Sequence, residues 1–79
     1  MMRVLFFGPV ADRVQMRETQ IEFASGMTLH DVIVHLGSQH PSAFGIVSFI
    51  AVNQVQVHDK QMVLHDNDEI AFMAKFSGG

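Results

Sequence analysis

Residues 69–79 read EIAFMAKFSGG, and their pattern is the strongest indication of the architecture. Its first part, residues 69–76, is long and largely apolar, which is typical of a strand that is buried on both faces in the middle of a sheet. Two glycines, Gly78 and Gly79, follow. Because glycine loses more backbone freedom on ordering than any other residue, fold stability does not favour them at the end of a strand. We therefore expect a central last strand and a flexible tail, residues 76–79, whose role lies outside the fold.

The other end of the chain carries a matching signal. Residues 3–7, RVLFF, are β-branched and aromatic and are closed by Gly8 and Pro9, so they predict a first strand that is also apolar on both faces. If both strands are central, they lie side by side, and their contact is parallel and closed by the rest of the chain. This is the β-grasp arrangement.

The clearest helix signal begins at Thr28. The sequence TLHD places an N-cap hydroxyl three residues before Asp31, which is an acidic variant of the capping box. The apolar residues that follow recur with helical spacing and form one stripe, which consists of Leu29, Val32, Ile33 and Leu36. Gly37 comes next, so we expect the helix to end there in a left-handed conformation.

Shorter elements account for the rest of the chain. Pro9 favours the first turn of a short helix whose apolar side is Val10 and Val14. The remaining patterns predict strands at residues 19–23, 45–52 and 55–58, turns at 53–54 and 65–68, and a loop or single turn at 39–44. The sequence therefore predicts a single α+β domain, residues 1–79, with a mixed sheet and one main helix packed on one sheet face.

Composition and charge exclude several classes of function. The formal net charge of −3 leaves no basic stripe, which argues against nucleic acid or an anionic membrane surface as a partner. No apolar run approaches the ~20 residues that span a bilayer, and we expect a cytoplasmic protein. The chain has no cysteine, which excludes disulfides, thiolate zinc sites, iron–sulfur clusters and a persulfide carried on this chain.

The sequence resembles the ubiquitin-like sulfur carriers, and most closely the small subunits of molybdopterin synthase. The resemblance is carried by RVLFF at 3–7, AVNQ at 51–54, DNDEIAFM at 66–73 and SGG at 77–79. A final Gly-Gly alone is weak evidence, since glycine usage of about 7% gives it by chance in roughly one chain in 200. Together, the four stretches occur in the family's order and span almost the whole chain.

The resemblance implies that the working group is the C-terminal carboxylate of Gly79. In that family an ATP-dependent adenylating (E1-like) enzyme forms an acyl-adenylate there, and a sulfur donor protein converts it to a thiocarboxylate. The thiocarboxylate then gives its sulfur to cyclic pyranopterin monophosphate in molybdenum cofactor biosynthesis. The chain is then a non-catalytic sulfur-donor subunit that binds no cofactor. The catalytic residues lie on the large subunit, within a heterotetramer of two small and two large subunits.

Side-chain alternation predicts the surface that meets this partner. It directs Val4, Phe6, Ile70 and Phe72 toward the helix. The residues between them then lie on the open face of the sheet, where an uncovered apolar patch marks a partner surface. We therefore expect the interface to consist of Leu5, Phe7, Ala71, Met73 and Lys75.

The tail is expected to enter the large subunit. Phe76 is its last anchor, and Ser77 and Gly78 thread into a narrow channel that side chains would obstruct. Fully extended, residues 76–79 reach roughly 10 to 13 Å. Relatives often carry a proline pair where this chain has Ala74 and Lys75, and its loss raises the cost of ordering the tail.

A second departure from the family concerns the turn before the last strand. Asn67 stands where relatives commonly have glycine. Asparagine is the residue other than glycine that best tolerates the left-handed conformation, so we expect the turn to survive.

The histidines do not predict a metal site. His30, His35 and His40 are spaced by five residues, which on a helix separates neighbours by about 140° and prevents them from sharing a metal. We expect surface or capping roles for these histidines and no bound metal.

Three other functions stay open at the level of sequence. The chain could carry sulfur to another acceptor, such as thiazole, an amino acid or transfer RNA, although thiazole carriers tend to be shorter and to lack RVLFF and AFM. It could be a ubiquitin-like protein modifier whose Gly79 forms an isopeptide bond with lysine. It could also be a plain β-grasp binding module.

Overall fold

The computed structural model describes residues 1–75, which form a five-stranded mixed sheet with helices on one face. The elements in chain order are β1 (Met2–Phe6), α1 (Gly8–Val14), β2 (Glu18–Ile21), α2 (Leu29–Gln39), α3 (Pro41–Phe44), β3 (Val47–Val52), β4 (Val55–Val57) and β5 (Glu69–Ala74). The strands lie in the order β2-β1-β5-β3-β4. β1 and β5 are parallel neighbours, with Val4 opposite Ile70 and Phe6 opposite Phe72. The predicted α+β class and β-grasp arrangement are confirmed.

The core lies between the sheet and the helices. Phe72 of β5 is fully buried there, with its ring stacked at 6.2 Å from that of Phe6 and edge-on at 4.8 Å from that of Phe44. Val10 and Val14 of α1 are both buried, as their spacing predicts. The buried cluster consists of Met2, Val4, Phe6, Val10, Val14, Leu29, Val32, Leu36, Ala43, Ile50, Val52, Leu64, Ile70, Phe72 and Ala74.

Helix α2 begins as predicted. The Asp31 backbone N–H donates to Thr28 Oγ1 at 3.2 Å, and the Thr28 backbone N–H donates to Asp31 Oδ2 at 3.0 Å. These two bonds form a complete capping box. The bond from the Thr28 backbone N–H is the main cause that lowers the pKa of Asp31 below its usual 3.8, because it favours the ionised carboxylate.

The predicted end of this helix at Gly37 is wrong. The helix continues to Gln39, and the His40 N–H still donates to the Leu36 carbonyl at 2.9 Å. His40 itself leaves the helical region, with φ of −134°. The cause is Pro41, because the ring of a proline crowds the residue before it and disfavours the α conformation.

Several strand boundaries also differ from the prediction. Phe7 leaves β1 because it is the N-cap of α1. The segment expected at 19–23 is a strand only at Glu18–Ile21, and β3 begins at Val47 rather than 45, after the short helix α3. β4 ends at Val57, and β5 ends at Ala74, short of the predicted end at Phe76, which lies outside the described residues.

Candidate functional site

The start of β5 is fixed by a polar clamp formed by Asn53 and Asp68. Asn53 Nδ2 donates to Asp68 Oδ1 at 2.9 Å, while Asn53 Oδ1 accepts from the Glu69 backbone N–H at 2.9 Å. The Asn53 N–H also donates to the Glu69 carbonyl at 2.7 Å. Asn53 has a φ of 52° in the tight turn between β3 and β4, a conformation that asparagine tolerates well. One side chain thus joins this turn to β5.

Asp68 is a buried carboxylate, with only 8% of its surface exposed. Its second oxygen, Oδ2, accepts from the His65 backbone N–H at 2.8 Å, and the Arg3 backbone N–H donates to its carbonyl at 3.0 Å. Burying a charge is costly unless it is hydrogen-bonded, and here both carboxylate oxygens have donors. Asn67 adopts a φ of 69°, as expected from the sequence. The stretches AVNQ and DNDE are therefore two halves of one structure that fixes the start of β5.

The sheet face opposite the helices carries the predicted apolar residues. Leu5, Ala71 and Met73 are half-buried on this face, and Phe7 exposes 48% of its surface beside them. They alternate with the core residues of the same strands, which are at most 2% exposed at Val4, Phe6, Ile70 and Phe72.

Two further residues belong to this face, although the sequence pattern did not predict them. Phe49 of β3 lies opposite Met73 and is 38% exposed, and Ala51 lies opposite Ala71. The signal lies in the apolar run of residues 45–52, where Ile50 and Val52 enter the core and their neighbours point the other way. The run alone could not predict which residues face the core, because apolar residues occupy both sets of alternating positions. We call the six residues Leu5, Phe7, Phe49, Ala51, Ala71 and Met73 the open-face patch.

The opposite end of the same face is charged. Arg3 lies between two carboxylates, with Nε 3.5 Å from Glu18 Oε2 and Nη1 3.4 Å from Glu69 Oε2. Half of the Arg3 side chain is exposed, so these ion pairs contribute little stability. In the register of β1 and β5, Arg3 is paired with Glu69 and Phe6 with Phe72. The charged end of this face therefore lies at the start of β5, and the apolar patch lies toward its end.

The remaining predicted site residues are at the end of the chain. Lys75 follows Ala74 and is exposed, whereas Phe76, Ser77, Gly78 and Gly79 lie outside the described residues. Within residues 1–75, no three histidine or acidic side chains come together in a way that could hold a metal ion. His30 and His35 are exposed on α2, and His40 is its C-cap. No helix in this part of the chain has the length and apolar character needed to cross a membrane.

Comparison with known proteins identifies the family. The model of the ThiS family matches residues 4–79, which is nearly the whole chain. A comparison with curated protein sequences finds no significant match. The fold, in contrast, has many similar solved structures.

Three of these structures illustrate the likeness. The crystal structure of SAMP1 from Haloferax volcanii has a TM-score of 0.83 and 19% identity, with 99% of this chain and 98% of that chain covered. Molybdopterin converting factor subunit 1 from Pyrococcus furiosus has a TM-score of 0.82 and 21% identity, with 95% and 97% covered. The complex of subunits 1 and 2 of molybdopterin-converting factor from Helicobacter pylori has a chain with a TM-score of 0.75 and 22% identity, with 99% and 97% covered.

At these identities the solved structures establish the fold, and the family model establishes the relationship in sequence. The chain belongs to the ThiS family, and it is a ubiquitin-like sulfur carrier.

Proposed function

We propose that the chain is the sulfur-carrier small subunit of a cytoplasmic molybdopterin synthase. The Gly79 carboxylate attacks the α-phosphorus of ATP on an E1-like adenylating enzyme, and pyrophosphate leaves. Sulfide delivered by a donor protein then attacks the same carbonyl carbon, the C–S bond forms, and AMP leaves. The resulting thiocarboxylate bonds through sulfur to cyclic pyranopterin monophosphate, and water then cleaves the C–S bond to Gly79 and regenerates its carboxylate. The catalytic side chains and the ATP site belong to the partners.

The observation that carries this proposal is the position of the open-face patch. The patch lies toward the end of β5, and β5 is the last described strand before residues 76–79. A partner that covers the patch would therefore hold the chain beside the point from which Phe76, Ser77, Gly78 and Gly79 continue. The clamp at the start of β5 supports the same interpretation, because it fixes the register of the strand that presents these residues.

The identity of the partner is supported by one of the similar structures. The Helicobacter pylori relative was solved as a complex of subunits 1 and 2 of molybdopterin-converting factor. By analogy, we propose a large subunit that covers Leu5, Phe7, Ala71, Met73 and Lys75, in an assembly of two small and two large subunits. The newly identified Phe49 would add an aromatic side chain to this interface, where aromatic residues often contribute most of the binding energy.

The test is intact-mass analysis of the chain purified from its native cells. We expect part of the protein to carry sulfur in place of one terminal oxygen. The Gly79→Val variant, purified in the same way, should lack this species and should fail to support molybdopterin formation with the large subunit. Full activity of Gly79→Val would overturn the proposal.

A second candidate is a ubiquitin-like protein modifier, and one observation favours it. Similar structures include proteins named small archaeal modifier protein 1, from Haloferax volcanii and Methanosarcina acetivorans. In that case Gly79 would form an isopeptide bond with a lysine of another protein. Proteolysis of a native-cell extract followed by mass spectrometry separates the candidates, because only a modifier leaves a branched peptide. A terminal thiocarboxylate without co-purified large subunit would instead indicate a carrier for thiazole, an amino acid or transfer RNA.

A further inference from the structure

Strand β3 is covered along only part of its outer edge. β4 pairs with Ile50, Ala51 and Val52, and no other strand in residues 1–75 pairs with β3 beyond Ile50 on that side. A groove lies along this uncovered part, between the sheet and helices α2 and α3. We call it the edge groove. Its floor is formed by half-buried apolar side chains, Ile33, Phe44, Val47 and Val57.

The size of the edge groove restricts what it accepts. It encloses about 220 Å³. This volume is below the ~300 Å³ at which pockets begin to bury a small-molecule ligand. One or two side chains of an extended peptide are a better match than a nucleotide or an organic cofactor.

The rim of the edge groove is basic, although the chain as a whole has a formal net charge of −3. His58 and Lys60 both line it. The backbone at Lys60 is anchored to helix α2, because the Lys60 carbonyl accepts from the His30 backbone N–H at 2.8 Å. The intervening Asp59 accepts from the Gln61 backbone N–H at 2.9 Å and is not among the lining residues. The lining residues therefore favour an acidic ligand.

We propose that the edge groove binds a short extended segment of a protein partner that combines aliphatic side chains with carboxylates. An aliphatic side chain fills the floor, a carboxylate contacts Lys60 and His58, and the main chain runs beside β3 where β4 has ended. Addition of a peptide to an exposed sheet edge is a common mode of recognition. The bulge between Val47 and Phe49 interrupts the edge, so the side chains contribute more to this binding than a regular backbone ladder does.

The edge groove is continuous with the open-face patch. Phe49 lines the groove and also lies opposite Met73 on the open face. A partner that covers the patch therefore reaches the groove without leaving the surface of the protein. The proposal does not depend on the chemistry of Gly79, so either of the two proposals can fail while the other stands.

The experiment is an NMR titration of the ¹⁵N-labelled full chain with three capped pentapeptides. The acidic peptide is Asp-Val-Ile-Val-Asp, the basic one is Lys-Val-Ile-Val-Lys, and the polar one is Asp-Ser-Gly-Ser-Asp. We expect the acidic peptide to shift the amide signals of residues 47–49 and 57–60, with much smaller shifts from the basic and polar peptides. Equal shifts from all three peptides, shifts centred elsewhere or no shifts would overturn the proposal.

A matched pair of charge reversals tests the basic rim. Lys60→Glu should raise the dissociation constant of the acidic peptide about fivefold or more, since it replaces an attractive exposed charge pair with a repulsive one. Arg17→Glu makes the same change in net charge beside β2, at the opposite edge of the sheet, and should leave the constant unchanged. Equal effects of the two variants would show a long-range charge effect only and would contradict the site.

Discussion

The two faces of the sheet are made by the same strands, yet they have different physical roles. On the helix side, Ile70 and Phe72 are completely buried. On the other side, Ala71 and Met73 alternate with them and are only half-buried. Burying a side chain the size of isoleucine, phenylalanine or methionine contributes roughly 1.5–3 kcal/mol. The covered face gains this free energy on folding, whereas the open face gains it in full only when a partner covers it. Alternate residues of one strand thus separate stability from recognition.

The largest difference between the faces is expected for phenylalanine truncation. Phe72→Ala should lower the free energy of unfolding by about 3–5 kcal/mol, because it leaves a cavity between Phe6 and Phe44. The free energy of unfolding of a domain of this size is roughly 4–12 kcal/mol in total, so the variant is close to unfolding. Phe49→Ala, on the open face, should cost about 1 kcal/mol or less. Urea unfolding measures both free energies, and equal losses would contradict the different roles of the two faces.

The next effect concerns binding rather than folding. Phe7→Asp should weaken binding of the large subunit by about 2 kcal/mol, roughly 30-fold, because it puts a charge into the apolar contact. It should leave the domain folded and equally or more stable, since Phe7 is the N-cap of α1 without a side-chain cap and aspartate is a preferred N-cap residue.

Val34→Asp is the control for this variant. Val34 is 56% exposed on α2, away from the open face, and valine and aspartate have similar helix propensities. Calorimetric titration should show normal binding for Val34→Asp. Unchanged binding by Phe7→Asp would mean that the open-face patch is not the docking surface.

A smaller loss of stability is expected from the clamp that fixes the start of β5. Asn53→Gly keeps the positive φ of 52° accessible but removes both side-chain hydrogen bonds, leaving Asp68 Oδ1 without its donor. We expect a loss of about 1–3 kcal/mol in urea unfolding. Gln54→Gly changes the next residue of the same turn, where φ is 70°, and should be neutral or stabilising. If both variants behave alike, the clamp contributes nothing beyond turn geometry.

The smallest expected effect is the pH dependence of the α2 capping box. The pKa of Asp31 is lowered in the folded state, chiefly by the Thr28 backbone N–H. Its contribution to stability is therefore full above the usual pKa of 3.8 and is lost as the pH falls through the lowered folded-state pKa. The difference in unfolding free energy between the wild type and Asp31→Asn should shrink over this window. A difference that is constant with pH would contradict this cause.

Much of this molecule could be predicted from local patterns. The residues RVLFF and EIAFM predicted two central parallel strands, and TLHD predicted the start of α2, because capping and alternation depend on neighbours in sequence. The end of α2 was missed because two stop signals compete there. Gly37 only permits the left-handed conformation that could end the helix, whereas the ring of Pro41 crowds His40 and excludes it from the α conformation. The helix therefore ends at the proline signal, with His40 at a φ of −134°.

Local alternation and motifs in chain order were enough to predict the family, the central first and last strands, and which residues of β1 and β5 face the helices. Three features are visible only in the folded chain: Phe49 lies on the open face, Asn53 binds Asp68, and the edge groove lies beside β3. Each of these depends on the register between segments that are far apart in the chain. The register of a strand that is apolar throughout cannot be predicted from its own residues, because the register is set by pairing with a neighbouring strand.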